Sequence, residues 1–473
     1  MLLKDLLSGV SYEGDGNIEI KDIVSDSRKV TSGSAFVCIR GYETDGHLYA
    51  EKAAENGACV IIAEEHLNVT CPLVIVENTR NVMALLCANF YDNPSKKFTL
   101  VGITGTNGKT TTTYLIKNIL DKTGKKVGLI GTNQNMIGEE IIETSRTTPD
   151  SFELQALFAK MAEKGADTVV MEVSSHALFL DRVAYCDFDV GVFTNLTQDH
   201  LDFHKTMDAY ADAKAILFKM CKKGVINADD EYAGRISKDA SAEIITASTK
   251  KDSNLFAKDI SLKEKGVEFT IDGKNYSLAI PGEFSVYNAL SAIGACKALG
   301  IDDDVIASGL ESAHGVKGRA QVVKLNHPAT FIIDYAHTPD GVENILKTVK
   351  GFAKKRVIVL FGCGGDRDNK KRPIMGHIAE KYADFQIVTS DNPRTENPSE
   401  IINQILAGME KDNHIVIENR RDAIEYAVRN AKDGDVVVLA GKGHETYQTI
   451  GKENFPFDEE QILLEIQKEL EAH

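Results

Sequence analysis

Positive charge is in short supply in this 473-residue sequence: 54 Lys and Arg stand against 70 Asp and Glu, a formal net charge of −16. Nonspecific binding to nucleic acid or to an anionic membrane needs the opposite surface, so neither partner is expected. An anionic ligand would need a locally basic site. Long apolar runs are missing, and no window approaches the about 18 residues of a membrane span. The opening "MLLKDLLSGV" is interrupted by Asp5 and does not read as a signal peptide. No C-x-x-C pair occurs among the eight cysteines (38, 59, 71, 87, 186, 221, 296, 363), which read as buried small hydrophobes in a reducing cytoplasm. Repeats, low-complexity tracts and heptads are absent. So is the N-K-x-D signature of a guanine-nucleotide switch.

What is present is an ordinary globular composition, 43% hydrophobic and 26% charged, in a chain long enough for two or three domains. Residues 1–95 alternate short apolar strands ("SAFVCI", "ACVIIA", "LVIVE") with helical stretches and end at the polar turn "YDNPSKK". Residues 96–326 repeat strand and helix ("KVGLIGT", a helix from 151, "DTVVMEV", "VGVFTNL"), which predicts a mostly parallel sheet. The helix from 151 carries a cap at Asp150 with Glu153 and stops at Gly165. "VEFTIDGKNYSLAI" predicts a hairpin forming a short flap on that sheet. Residues 327–473 supply another open α/β sheet, with strands "FIIDY", "RVIVLFG", "ADFQIVTS" and "DVVVLAG".

"FTLVGITGTNGKTTTT" (98–113) sets a glycine-broken turn between a strand and a helix, with one lysine followed by threonines. Such a turn aims backbone N–H groups and a helix N-terminus at phosphate. Lys109 adds a point charge, and Thr110 offers a hydroxyl to Mg²⁺. The strict P-loop pattern wants glycine where this chain has Ile103, so this is a variant phosphate loop. Glu172 lies inside the apolar strand "TVVMEVSS", where a carboxylate is costly unless paired or metal-bound; the plain alternative is a strand end reaching solvent.

"DHLDFHKTMDAYADAKAILFKMC", read as one helix, stacks Met207, Tyr210, Ala211, Leu217, Phe218 and Cys221 in a stripe with Lys214 in its middle. A buried lysine is pushed towards the neutral amine, which reacts with CO₂ to give an anionic carbamate; the plain alternative is a snorkelling side chain with a wet head. His204, taken alone, reads as a packing histidine. Three further clusters follow apolar strands: Gly362, Gly364, Gly365, Asp366 and Arg367; Asp391, Asn392 and Arg394; Gly441, Lys442, Gly443, His444 and Glu445. In a parallel sheet such tips converge on one crevice. Guanidinium, carboxylate and amide together suit a zwitterion.

"TGTNGKTTT", "EVSSHAL", "TNLTQDHLDFH", the Lys214 helix, "GRAQ", "DYAHTPD", "GCGGDRD", "DNPRTENP" and "GKGHE" together resemble the Mur ligase family over essentially the whole chain. Within it they resemble the members that add the third residue of the peptidoglycan stem peptide, and "DNPR" the version selecting meso-diaminopimelate. The alternative is the same ligase using L-lysine. The resemblance implies three α/β domains: 1–95 for the UDP-muramoyl end, a P-loop-type ATPase domain over 96–326, and a Rossmann-like amino-acid domain over 327–473. It implies a cytoplasmic, monomeric enzyme using ATP, Mg²⁺ and a carbamate on Lys214. Gly105, Thr106, Asn107, Gly108, Lys109, Thr110, Thr111, Asn288, Arg319 and Asp334 would bind ATP, with Lys109, Lys214 and Arg319 catalytic. Thr110, Glu172, His204 and Lys214 would form the metal shell. Ser27, Thr147, Thr148, Ser174 and Arg182 would hold the UDP-muramoyl peptide. Arg367, Asp391, Asn392, Pro393, Arg394, Gly441 and Glu445 would hold diaminopimelate.

Overall fold

The structure, a computed structural model, describes every residue except 13, 42, 43, 145, 264, 265, 314, 472 and 473. Four parallel strands pair in chain order near the N-terminus: Asp22–Val24, Ser34–Val37, Val60–Ala63 and Leu73–Ile75. The two central ones are buried along their whole length, as expected of a sheet covered on both faces. The helix Thr79–Phe90 starts under Asn78, whose side chain accepts from the amides of Arg80 and Asn81.

Nine strands make the second sheet, in the order Leu255–Phe256, Glu243–Ser248, Lys223–Asn227, Val190–Phe193, Thr99–Thr104, Thr168–Glu172, Val127–Ile130, Asn135–Ile137, Glu140–Ile142. The last two form an antiparallel ribbon turning at Gly138 (φ +60°), which the reading above did not foresee. The helix Ser151–Glu163 begins at Asp150, whose carboxylate accepts from the Glu153 amide as expected. The Asp-Gly hairpin forms between Gly266–Ile271 and Lys274–Leu278, with Asp272 at φ +50° and Gly273 at φ +79°. It belongs to a separate three-stranded sheet with Lys258–Lys263, not to the large sheet as expected.

A third large sheet, of six strands, runs Gln321–Val323, Thr330–Asp334, Val436–Ala440, Val357–Phe361, Phe385–Val388, His414–Val416. All its pairs are parallel except the first. One apolar cluster around Val342, Leu346 and Met375 and another around Ile424, Leu463 and Ile466 supply its core. Because the other five strands point one way, the loops that follow them emerge together at one edge.

The described residues form two compact units. The first is Met1–Gly102, Lys125–Gly191 and Ile216–Lys222; the second is Ile103–Gly124, Val192–Ala215 and Lys223–His473. All eight cysteines are unpaired thiols; Cys59 and Cys71 are only half-buried, since each sits at a strand margin rather than in the core.

Candidate active site

The strand Thr99–Thr104 hands the chain through residues 105–108, which lie in the second unit, to the helix Lys109–Asp121. Gly108 has φ +83°, and a Cβ there would collide with Asn288 Oδ1; one at Gly105 would collide with Thr194 Oγ1. Only glycine brings this backbone so close to its neighbours. The Lys109 ammonium folds back to donate to the carbonyls of Gly105 (2.9 Å) and Thr106 (2.8 Å). Thr110 is buried, and its hydroxyl accepts from Arg319 Nη2 at 3.0 Å. Arg319 also lies over the Tyr335 ring, 4.6 Å from its centroid. Asp334 accepts from the amides of Ala320 (2.6 Å) and Ala336 (2.8 Å), and burial raises its pKa above the usual carboxylate range.

Beside this loop opens a cavity of about 360 Å³. Of the residues expected to bind ATP, Asn107, Gly108, Thr111, Asn288, Arg319 and Asp334 line it. Gly105, Thr106, Lys109 and Thr110 lie in the adjoining loop and helix start rather than in the wall. Ile280, Phe284 and Tyr287 give the cavity an apolar side suited to a nucleobase. Asn107 Nδ2 donates to Asp340 Oδ2 (2.7 Å), which binds the loop to the helix Pro339–Phe352.

Lys214 lies in the helix Met207–Met220 and is 1% exposed, so the snorkelling alternative fails. Its ammonium sits 4.4 Å from the centroid of the Tyr210 ring. Burial, aided by the charge of Lys109, pushes its pKa well below the ordinary lysine value. Tyr210 also reaches the phosphate loop, its hydroxyl 3.2 Å from Thr106 Oγ1. The single helix expected here is broken: Leu201–His204 stands apart, and Lys205 turns at φ +68° before Met207. His204 is buried and stacks on Tyr210 at 4.9 Å between centroids. His200, not among the expected residues, holds φ +54° and meets the same ring edge-on. Backbone strain of that kind in a non-glycine residue gathers at functional sites and is invisible in sequence.

In the first unit Glu172 is 1% exposed, so it does not reach solvent. Its two oxygens accept from the Thr132 amide (2.8 Å) and hydroxyl (3.0 Å). The same hydroxyl meets Thr147 Oγ1 at 3.0 Å. Thr148 Oγ1 donates to the Glu172 carbonyl (2.9 Å) and accepts from the Ser174 amide (3.0 Å), while Arg182 Nη1 donates to the Thr148 carbonyl (3.4 Å). Thr147, Thr148, Ser174 and Arg182 are thus gathered around Glu172. Ser27 lies in the short helix Ser27–Lys29, its carbonyl accepting from Asn56.

No group of three His, Cys, Asp or Glu side chains among the described residues could hold a metal ion alone. Mg²⁺ does not require one, because it keeps waters and substrate phosphates around one or two protein oxygens. A buried threonine hydroxyl at the start of a phosphate-loop helix fits that demand.

The three tips of the third sheet do meet. Asn392 Nδ2 donates to Glu445 Oε2 (2.9 Å), and the fully buried Lys442 donates to Asn392 Oδ1 (3.0 Å) and Glu445 Oε2 (3.0 Å). Arg394, at φ +51°, donates to the Gly365 carbonyl (2.9 Å). A Cβ at Gly441 would come 2.5 Å from Asp391 Oδ2, and one at Gly365 would strike the Pro393 carbonyl. Arg367 is exposed at the rim. Burial and the nearby Arg367 charge lower the Arg394 pKa, so an incoming carboxylate would relieve two crowded cations. The hairpin Tyr447–Ile450 with Glu453–Pro456, also unforeseen, braces this tip: the Thr449 amide donates to Asn392 Oδ1 (2.9 Å) and the Gly451 amide to the Arg394 carbonyl (2.8 Å).

Three family descriptions match the chain in order: "Mur ligase family, catalytic domain" over residues 19–91, "Mur ligase middle domain" over 103–296, and "Mur ligase, glutamate ligase domain" over 318–443. A UDP-N-acetylmuramoyl-L-alanyl-D-glutamate--2,6-diaminopimelate ligase of Clostridium acetobutylicum is 49% identical over 481 residues, covering 99% of this chain and 100% of that protein. One of the same name from Caldanaerobacter subterraneus subsp. tengcongensis is 50% identical over 484 residues and covers 100% of both. A solved structure of a ligase of that name superposes with a TM-score of 0.72 at 31% identity, covering 100% of this chain and 99% of that one. A folylpolyglutamate synthase of Mycobacterium tuberculosis shares the fold at a TM-score of 0.63 and 20% identity, over 75% of this chain and 91% of that one. With relatives this similar along its full length, and with a three-domain, mostly parallel α/β architecture, the chain belongs to the Mur ligase family.

Proposed function

We propose that the protein is the ATP-dependent ligase that joins meso-diaminopimelate to UDP-N-acetylmuramoyl-L-alanyl-D-glutamate in peptidoglycan precursor synthesis. The observation that carries this reading is the junction of three strand tips, where Asn392, Glu445 and Lys442 interlock beside Asp391 and Arg394. The relatives named for the same reaction support it.

In this reading residues 1–95 and the Glu172 cluster take the UDP-muramoyl dipeptide, residues 96–326 the nucleotide, and residues 327–473 the amino acid. Ser27, Thr147, Thr148, Ser174 and Arg182 hold the dipeptide nucleotide. The γ-carboxylate of its D-glutamyl end attacks the γ-phosphate of ATP, giving an acyl phosphate and ADP. Lys109 and Arg319 offset the negative charge that builds up there. Thr110, Glu172 and His204 would hold Mg²⁺, which would supply further neutralisation of the phosphates. The Lys214 amine would add to CO₂, releasing a proton to solvent, and the resulting carbamate would offer anionic oxygens to the same ion. The amine of diaminopimelate, oriented by Asp391, Asn392 and Glu445, then attacks the acyl carbon, forms the amide and expels phosphate. Arg394 and Arg367 take its distal carboxylate, a group that lysine lacks. We further propose that the enzyme works as a monomer in the cytoplasm; among the described residues no helix is long and apolar enough to cross a membrane.

Phosphate release from ATP, followed with the dipeptide nucleotide and a panel of amino acids, tests the proposal. Release with meso-diaminopimelate and not with L-lysine is expected. Release with lysine alone would overturn it.

A further inference from the structure

Behind the amino-acid crevice lies a chain of charges that the reaction above does not use. Arg420 is the first residue of the helix Arg420–Asn430 and is buried to 1% exposure. A cation is misplaced there, because the helix N-terminus is itself positive. Its Nε donates to Glu459 Oε1 (2.8 Å), its Nη2 to the Ala440 carbonyl (2.9 Å), and its Nη1 faces Asp391 Oδ2 at 3.9 Å. Glu459, first residue of the helix Glu459–Glu471, is equally buried. Asp391 Oδ2, Arg420 Nη1 and Glu459 Oε2 are all buried and lack a hydrogen-bond partner.

Removing two or three ions from water costs several kcal/mol each unless something repays it, and stability alone rarely does. What these residues do share is Asp391. Its other oxygen accepts from the Asn392 amide (2.7 Å), and the preceding Ser390 amide donates to the Glu418 carbonyl (3.1 Å), two residues before Arg420. Gly441 leaves the room in which the carboxylate and the guanidinium face each other. We propose that Arg420, bound in turn by Glu459, is a positioning residue: it holds the Asp391 carboxylate turned towards the ammonium of the amino-acid substrate. The proposal rests on assigning the crevice to the amino acid. Arg420 touches no substrate itself.

The decisive variant is Arg420→Met combined with Glu459→Met, which exchanges the buried pair for apolar side chains of similar size. Where an ion pair is merely structural, such an exchange is neutral or stabilising. Expected here are a near-native melting temperature, an unchanged KM for ATP, and a KM for meso-diaminopimelate raised about tenfold or more, with kcat moved less. Arg420→Lys, which restores a cation, should lie between this variant and the native enzyme. Asp391→Asn serves as the control. If it leaves the KM for diaminopimelate unchanged, the assignment of the crevice fails. If it raises that KM while the double variant does not, the positioning role is overturned and the assignment stands. Should the double variant not fold, Arg420→Lys with a native KM for diaminopimelate overturns the role as well.

Discussion

Replacing Lys214 by Met should make the protein more stable and inactive at once. Lys214 is buried against the Tyr210 ring and its pKa is held well below the ordinary value, chiefly by burial. In the unfolded chain the same amine titrates near about 10.4. Between the depressed folded value and that one, the unfolded state carries a proton that the folded state has shed. Wild-type stability therefore rises with pH through this window, by up to about 1.4 kcal/mol for each pH unit. Methionine fills a similar volume and titrates nowhere. The stability advantage of Lys214→Met should thus be greatest at neutral pH and shrink at that slope as the pH approaches about 10. Thermal unfolding of both proteins in CO₂-free buffer from about pH 7 to pH 10 measures it. Adding bicarbonate should raise only the wild-type melting temperature, because a carbamate formed on the native state stabilises it by mass action. A pH-independent difference, or a Met variant less stable at neutral pH, would refute the reasoning.

Lys214→Ala should lose nearly all ligase activity and regain part of it when a small carboxylic acid is added, as seen in phosphate release. Arg394→Ala removes the guanidinium proposed for the distal carboxylate; a charged hydrogen bond of about 1.5–3 kcal/mol corresponds to a rise of roughly 10- to 100-fold in KM for diaminopimelate, with KM for ATP unchanged. Gly108→Ala forces a left-handed alanine, costing about 1–2 kcal/mol, and drives its methyl group into Asn288. KM for ATP should rise by about tenfold or more while the melting temperature falls only a few degrees.

The phosphate loop was legible because glycine and threonine between an apolar strand and a periodic helix leave few other conformations. The three tips were legible for a topological reason: parallel strands end on one side, so polar residues after successive strands must meet. Periodicity placed Lys214 on the apolar stripe but could not decide between a buried amine and a wet one; its 1% exposure and the Tyr210 ring against it decide it. The break at Lys205 was hidden because a left-handed lysine has no compositional mark. The ribbon at Gly138 and the brace at Tyr447–Ile450 are held by partners elsewhere in the chain, so local propensity says little about them. Arg420 and Glu459 are separated by 39 residues and announce themselves only through burial.

The central claim is that the substrate carboxylate attacks ATP to give an acyl phosphate. Its most direct test is to label the γ-carboxylate of the D-glutamyl end with heavy oxygen, run the ligation with meso-diaminopimelate, and analyse the phosphate released. The account predicts one labelled oxygen transferred to each phosphate. Amide product formed with unlabelled phosphate would contradict it.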